Sequence, residues 1–266
     1  MTILLVDTIS HTPLSNVTYS LARPAGQRQG DLIIAVETLD NSDRDFAAVP
    51  AGWTVVSGLD PNSVFTEEVR VSYTVVSASP PANDTWGQSI NTTAYSNIQA
   101  LFRGADSTTP VEAFVAFANS TDFPSITAVS ANALLLGIAQ GSGWDSAVTP
   151  DAAMTNVLTR IGPTNADTYI AMEQLTSSGA TGIRTPVPDA GSIKKTMSLL
   201  LATAGAADTT APTYSVTPAI DSVTDTSITA DATAADETDA TVDHLALVLA
   251  DGGVAPADDA EFLTWH

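Results

Sequence analysis

The sequence predicts an all-β protein: a large jelly-roll-like antiparallel β-sandwich followed by a small second β-module. Three observations lead there. Short runs rich in Val, Ile, Thr and Tyr recur between clusters of Gly, Pro, Asn and Asp, which is the spacing of a sandwich or barrel. In EEVRVSYTVVS, the residues Val69, Val71, Tyr73 and Val75 alternate with Arg70, Ser72, Thr74 and Val76, so one face is expected in a core and the other, mostly polar, outside it. No long run repeats with a 3.6-residue period, so helices should be few and short.

Taken in order, strands are expected near residues 3–7, 17–22 and 31–38, the last an apolar run opened by Gly30. The next, near 54–57, follows a turn built by Pro50 and Gly52, and Trp53 brings a large apolar surface to its start. Strands near 67–77, 89–102, 111–118 and 126–128 follow. The run Leu134, Leu135, Leu136, Gly137, Ile138 is apolar on both faces, as in a strand covered on both sides, and Gly137 with the later Gly141 and Gly143 speaks against a helix. The large domain closes with strands near 155–161, 168–174 and 192–203, giving a domain over residues 1–203.

Small residues then lead into Asp208, two threonines and Pro212, an extended solvated linker over 204–212. Residues 213–266 look like two or three strands joined by acidic turns, too few for a complete immunoglobulin-like sandwich of about 100 residues.

Charge and composition limit function. The net charge is −21, and no Lys or Arg follows Lys195, whereas twelve of the 30 carboxylates come after Ala207. A polyanion needs a basic track from which counterions are released, so nucleic acid is not expected as a partner, nor an anionic membrane surface. No cysteine is present, which removes disulfides and thiolate chemistry. The start MTILLVDTISH has no basic n-region and no cleavage site and reads as a first strand. No apolar stretch approaches the roughly 18 residues of a membrane span, so a soluble product without membrane insertion is expected.

The order GDLIIA, PAGWTVV, VRVSYTVVSA and then AMEQLTSSGATGIRT ahead of a closing apolar strand resembles a β-sandwich domain of structural proteins of tailed bacteriophages and prophages. The later DTTAPTYSVTPAIDSVTDTSIT and ADETDATVDHLALVLADGGVAPA resemble the fibronectin-type-III-like modules that trail such domains. Where a fibronectin-like module places a Trp in its second strand, this chain has Ala230 and Ala232. The resemblance implies a virion protein of the fibre, decoration or tail-associated kind, located in the particle. Its partners would be other virion subunits and copies of itself, and its assembly would run through sheet interfaces.

Each candidate site has a plain structural counterpart. Asp40, Asn41, Asp43 and Asp45 supply oxygen donors of the kind calcium takes, but they surround Arg44 and lack the spacing that wraps an ion, so the loop reads as a hairpin tip. Trp53, Trp86 and Trp144, the last two in expected loops, are the candidate glycan or subunit-interface contacts, and would serve a carbohydrate-binding module or adhesin if their rings stand in solvent. His11, His244 and His266 cannot be placed beside a serine, and no nucleophile elbow, zinc-binding helix or phosphate loop is present. The expectation is a non-enzymatic protein with no catalytic residues, cofactor or metal.

Overall fold

The computed structural model describes residues 2–11, 18–40, 46, 48–56, 67–87, 95–145, 147–161 and 167–204, with 213–214, 219–223, 228–231 and 234–235. Among them every regular element is a strand, and the chain divides into two compact units, Met1–Gly205 and Ala206–His266.

The first seven strands are β1 (Leu4–His11), β2 (Thr18–Ala22), β3 (Leu32–Asp40), β4 (Thr54–Val55), β5 (Glu67–Val75), β6 (Asn83–Gly87) and β7 (Tyr95–Arg103). Five of them form an antiparallel sheet in the order β1-β7-β3-β5-β4, while β2 and β6 pair as a separate ribbon. The next nine are β8 (Val111–Ala118), β9 (Thr127–Ala128), β10 (Leu134–Ser142), β11 (Val148–Thr149), β12 (Thr155–Arg160), β13 (Asp167–Gln174), β14 (Gly179–Ala180), β15 (Val187–Pro188) and β16 (Ser192–Leu201). They form a second sheet, β12-β13-β10-β16-β8, with ribbons β9-β14 and β11-β15.

The expected all-β sandwich is therefore present, and its two sheets are one design used twice. Number the five sheet strands of each half by their order in the chain: the first sheet runs first, fifth, second, fourth, third, and the second sheet read from β8 runs the same way. In each half a ribbon joins the segment after the first strand to the segment after the fourth: β2 with β6, and β9 with β14. Pairing fixes the correspondence. Leu32 lies between Phe102 and Val75, and Leu134 lies between Leu201 and Gln174.

Details repeat as well. Gly30 and Asn132, each two residues before those leucines, both have positive φ, 85° and 66°. Val76 donates its backbone N–H to Asp31, as Leu175 does to Ala133. Trp53 closes its turn on Pro50 O, as Met154 does on Asp151 O. Both first strands carry an extra residue at the same place, Val6 in β1 and Glu112 in β8.

The repetition explains the core. Leu32, Ile34 and Val36 meet the counterparts of their own positions, Leu134, Leu136 and Ile138, in one apolar layer between the sheets. Neither sheet could bury that face alone, which is the usual state of a single repeat. The outward faces are covered too. Ile33, Ala35 and Leu39 lie under the β2-β6 ribbon with Tyr19, Leu21 and Trp86, and Leu135 and Ala139 lie under Phe123, Ile126 and Trp144.

The mostly polar face of β5 is covered as well: Arg70, Ser72 and Thr74 are all buried, because the ribbon roofs the strand. Gly137 now has a packing reason. A Cβ there would stand 2.5 Å from the Phe123 ring, which lies flat on the bare backbone.

The sheet edges are blunt. Bulges interrupt β1 at Leu5/Asp7, β12 at Asn156/Leu158 and β8 at two places, and β4 has only two residues. Such interruptions discourage pairing with another strand. At one end of the sandwich the two halves finish against each other. Ala204 donates to Gly104 O, Asp106 donates to Ala202 O, and Ala105 bridges Thr203. Gly104, with φ 88°, also passes Thr2 so closely that a Cβ would lie 2.8 Å from the Thr2 carbonyl oxygen.

In the second unit, β17 (Thr213–Tyr214) pairs with β20 (Ala234–Ala235) and β18 (Ala219–Val223) with β19 (Ile228–Asp231), both antiparallel.

Candidate functional site

The three candidate tryptophans are buried, with relative exposures of 7% for Trp53, 1% for Trp86 and 3% for Trp144. Trp86 belongs to strand β6, where its ring meets Trp53 edge-on at 4.7 Å. Trp144 is in a loop, as read, but lies over the bare backbone of Gly141 and donates its indole N–H to Ser192 O. Their rings act as the lids of the outer layers, so no ring face stands free for a sugar. Residues 41–45 of the acidic loop lie outside the described residues, as do His244 and His266. His11 contacts Ala22 O through Nε2 at 3.0 Å, and its pKa is lowered, first by burial and then by the nearby Arg160. Among the described residues no group of three His, Cys, Asp or Glu is placed to hold a metal ion.

Two polar constellations emerge that the sequence did not announce. The first lies under the β2-β6 ribbon. Glu37 on β3 stands between Arg70 on β5 and Asn97 on β7. Arg70 Nε donates to Glu37 at 2.6 Å and Tyr95 Oη donates to the other carboxylate oxygen at 2.9 Å. Burial raises the Glu37 pKa while Arg70 and Tyr95 oppose the shift; burial, then the Glu37 charge, push Tyr95 well above its ordinary value. Phe46 caps the Arg70 guanidinium at 4.6 Å and Tyr19 stacks on Tyr95 at 4.8 Å. The ribbon itself is pinned by a bidentate Arg23–Asp84 pair, 2.6 and 2.9 Å, with Arg23 over Trp53. A roofed pair of this kind organises packing and offers no access to a reactant.

The second constellation is open. A groove of about 630 Å³ lies beside the start of β12, the end of β13 and β14. Its apolar surface comes from half-buried Met172 and exposed Ala153 and Ala180, with Ile3 and Leu134 all but buried behind, and exposed Thr155, Thr176, Ser177 and Ser178 line it. Glu173 and Arg184 form its one ion pair, bidentate at 2.8 and 3.0 Å. Asp151 approaches Arg184 at 4.0 Å and accepts the backbone N–H of Ala153 and Thr185, contacts that lower its pKa. Among the described residues one carboxylate lines the groove, so they do not form the two-acid arrangement of glycoside hydrolysis there. In sequence, Glu173 and Arg184 are separated by a Ser/Gly-rich turn, and nothing local marks them as partners.

No protein-family model, curated protein or solved structure matches this chain.

Proposed function

We propose that the chain is a non-enzymatic structural component of a phage virion, of the fibre, decoration or tail-associated kind, in which the sandwich is a displayed body. The observation that carries the structural part is closure. Both faces of both sheets are covered, the edges are bulged or short, and the chain reaches and leaves the sandwich at one end. A closed body with blunt edges suits contact through faces and loops better than strand-to-strand polymerisation. The virion setting rests on the resemblance of the GDLIIA, PAGWTVV and VRVSYTVVSA runs to phage structural domains, and the acidic surface suits partners other than nucleic acid.

Particles banded from a culture that makes the protein, labelled with gold-conjugated antibody against the folded chain, test this. Gold on capsids or tails is the expected result. Antigen confined to the soluble fraction, with bare particles, would reject the virion role.

A further inference from the structure

The two halves differ most where the second one opens. At the first half's counterparts of the groove the positions of Met172, Glu173, Gln174 and Leu175 are taken by Tyr73, Thr74, Val75 and Val76, and the Thr74 hydroxyl closes onto Gly52 O at 2.7 Å. At the same place Thr74 is thus turned onto its own turn, whereas Glu173 is turned to Arg184 beside the groove.

We propose that this groove is a binding site for a neutral oligosaccharide, an activity beyond the assembly role and independent of where the protein resides. The lining decides the ligand class by elimination. Among the described residues Arg184 is its only cation, and its Nε and Nη2 are both committed to Glu173, so a phosphate or carboxylate ligand finds no free counter-charge there. A cation finds a single carboxylate, already neutralised. A flat aromatic ligand finds no aromatic wall. An extended peptide needs a run of main-chain partners, and the adjoining strands refuse it: β12 is bulged at Asn156/Leu158 and β14 has two residues.

What remains is a ligand with a small apolar side and many neutral hydroxyls, matching half-buried Met172 and exposed Ala153 and Ala180 beside the exposed threonines and serines. Each Glu173 oxygen takes one N–H of Arg184 and keeps a lone pair that can accept a sugar hydroxyl. The volume falls within the range of about 300–1,000 Å³ typical of small-molecule sites.

The test is titration of the full chain, followed by amide NMR, with neutral tetrasaccharides of the maltose, cellulose and chitin series and with sialyllactose as the anionic control. At least one neutral sugar is expected to bind with Kd near about 1 mM or tighter, moving the amides of Thr155 and residues 176–180. Ala180→Trp, at an exposed position of the groove wall, should weaken binding by about tenfold or more with the melting temperature unchanged. Val55→Ser, on the exposed strand β4 of the first half, should leave binding intact. No neutral binder at about 10 mM, binding that survives Ala180→Trp, or binding of sialyllactose alone would overturn the proposal. None of these outcomes bears on whether particles carry the protein.

Discussion

In the first half Glu37 and Arg70 face each other under the ribbon; at the same two places in the second half stand Ala139 and Tyr169. Asn97 beside Glu37 likewise corresponds to Thr196 beside Ala139. One half fills the space between sheet and cover with an ion pair and its hydrogen bonds, and the other fills it with Tyr169 stacked on Phe123 at 6.3 Å. The backbone order is common to both, so the difference shows that strand pairing does not dictate what lies in the outer layer. Covering the face is required, and the chemistry of the cover is free to vary.

The largest effect should come from breaking the ion pair on one side. Glu37→Ala leaves the Arg70 guanidinium buried without its counter-charge, which costs about 3–5 kcal/mol and should appear as a lowered denaturation midpoint. Glu37→Ala with Arg70→Tyr transplants the second half's solution. It should recover most of that loss, because replacing a whole buried pair by well-packed groups is often neutral. A double variant as unstable as the single one would mean that the two outer layers are not interchangeable.

A smaller effect separates Ala35 from its counterpart Gly137. Gly137→Ala forces the Phe123 ring away and should lose about 1–3 kcal/mol, whereas Ala35→Gly in the other half should lose about 0.5–1 kcal/mol; equal losses would deny the lid role of Phe123. The pH dependence is subtler still. Because the Glu37 pKa is raised, its contribution is full below the ordinary carboxyl value and is lost as pH rises through the raised one. The stability of the Glu37→Ala/Arg70→Tyr variant relative to the parent should therefore improve as pH is raised through that window, read from urea midpoints. Asp151 has the opposite sign: its contribution is present above the ordinary aspartate value and is lost as pH falls through the lowered one, a loss that Asp151→Asn should remove.

Much of the sandwich was legible because its central strands obey simple patterns. The double-sided apolar run at Leu134 marked a strand covered on both faces, and the alternation through Val69 and Val71 marked an inward face. Strand β6 was not legible, since NDTWG is made of turn-forming residues around a single Trp, and tertiary packing of Trp86 overrides their preference. Without β6 there is no ribbon, so the sequence does not show what covers Arg70 or that Trp86 stands in a strand.

The repeat left only a faint trace in the sequence. GDLIIAV answers NALLLGI, and PAGWT answers DAAMT, but the residues between them diverge because each half solved its cover separately. The groove was hidden for the same reason: its character comes from comparing Tyr73 and Thr74 with Met172 and Glu173, and that alignment exists only once the strands are paired.

Gly104 gives the sandwich a mechanical character. Thr2 and Ala204 both sit against it, so a pull applied at those two residues acts on points that already touch. Under such a load the short clamp of Gly104, Ala105 and Thr203 takes the force first. If it gives way, the edge strand β1 opens from β7 at that same end one hydrogen bond after another, in the manner of a zip, while β16 is held by ladders to both β10 and β8. Tension passing along the polypeptide would largely bypass the two sheets, leaving the body hanging beside the line of force like a pendant on a cord.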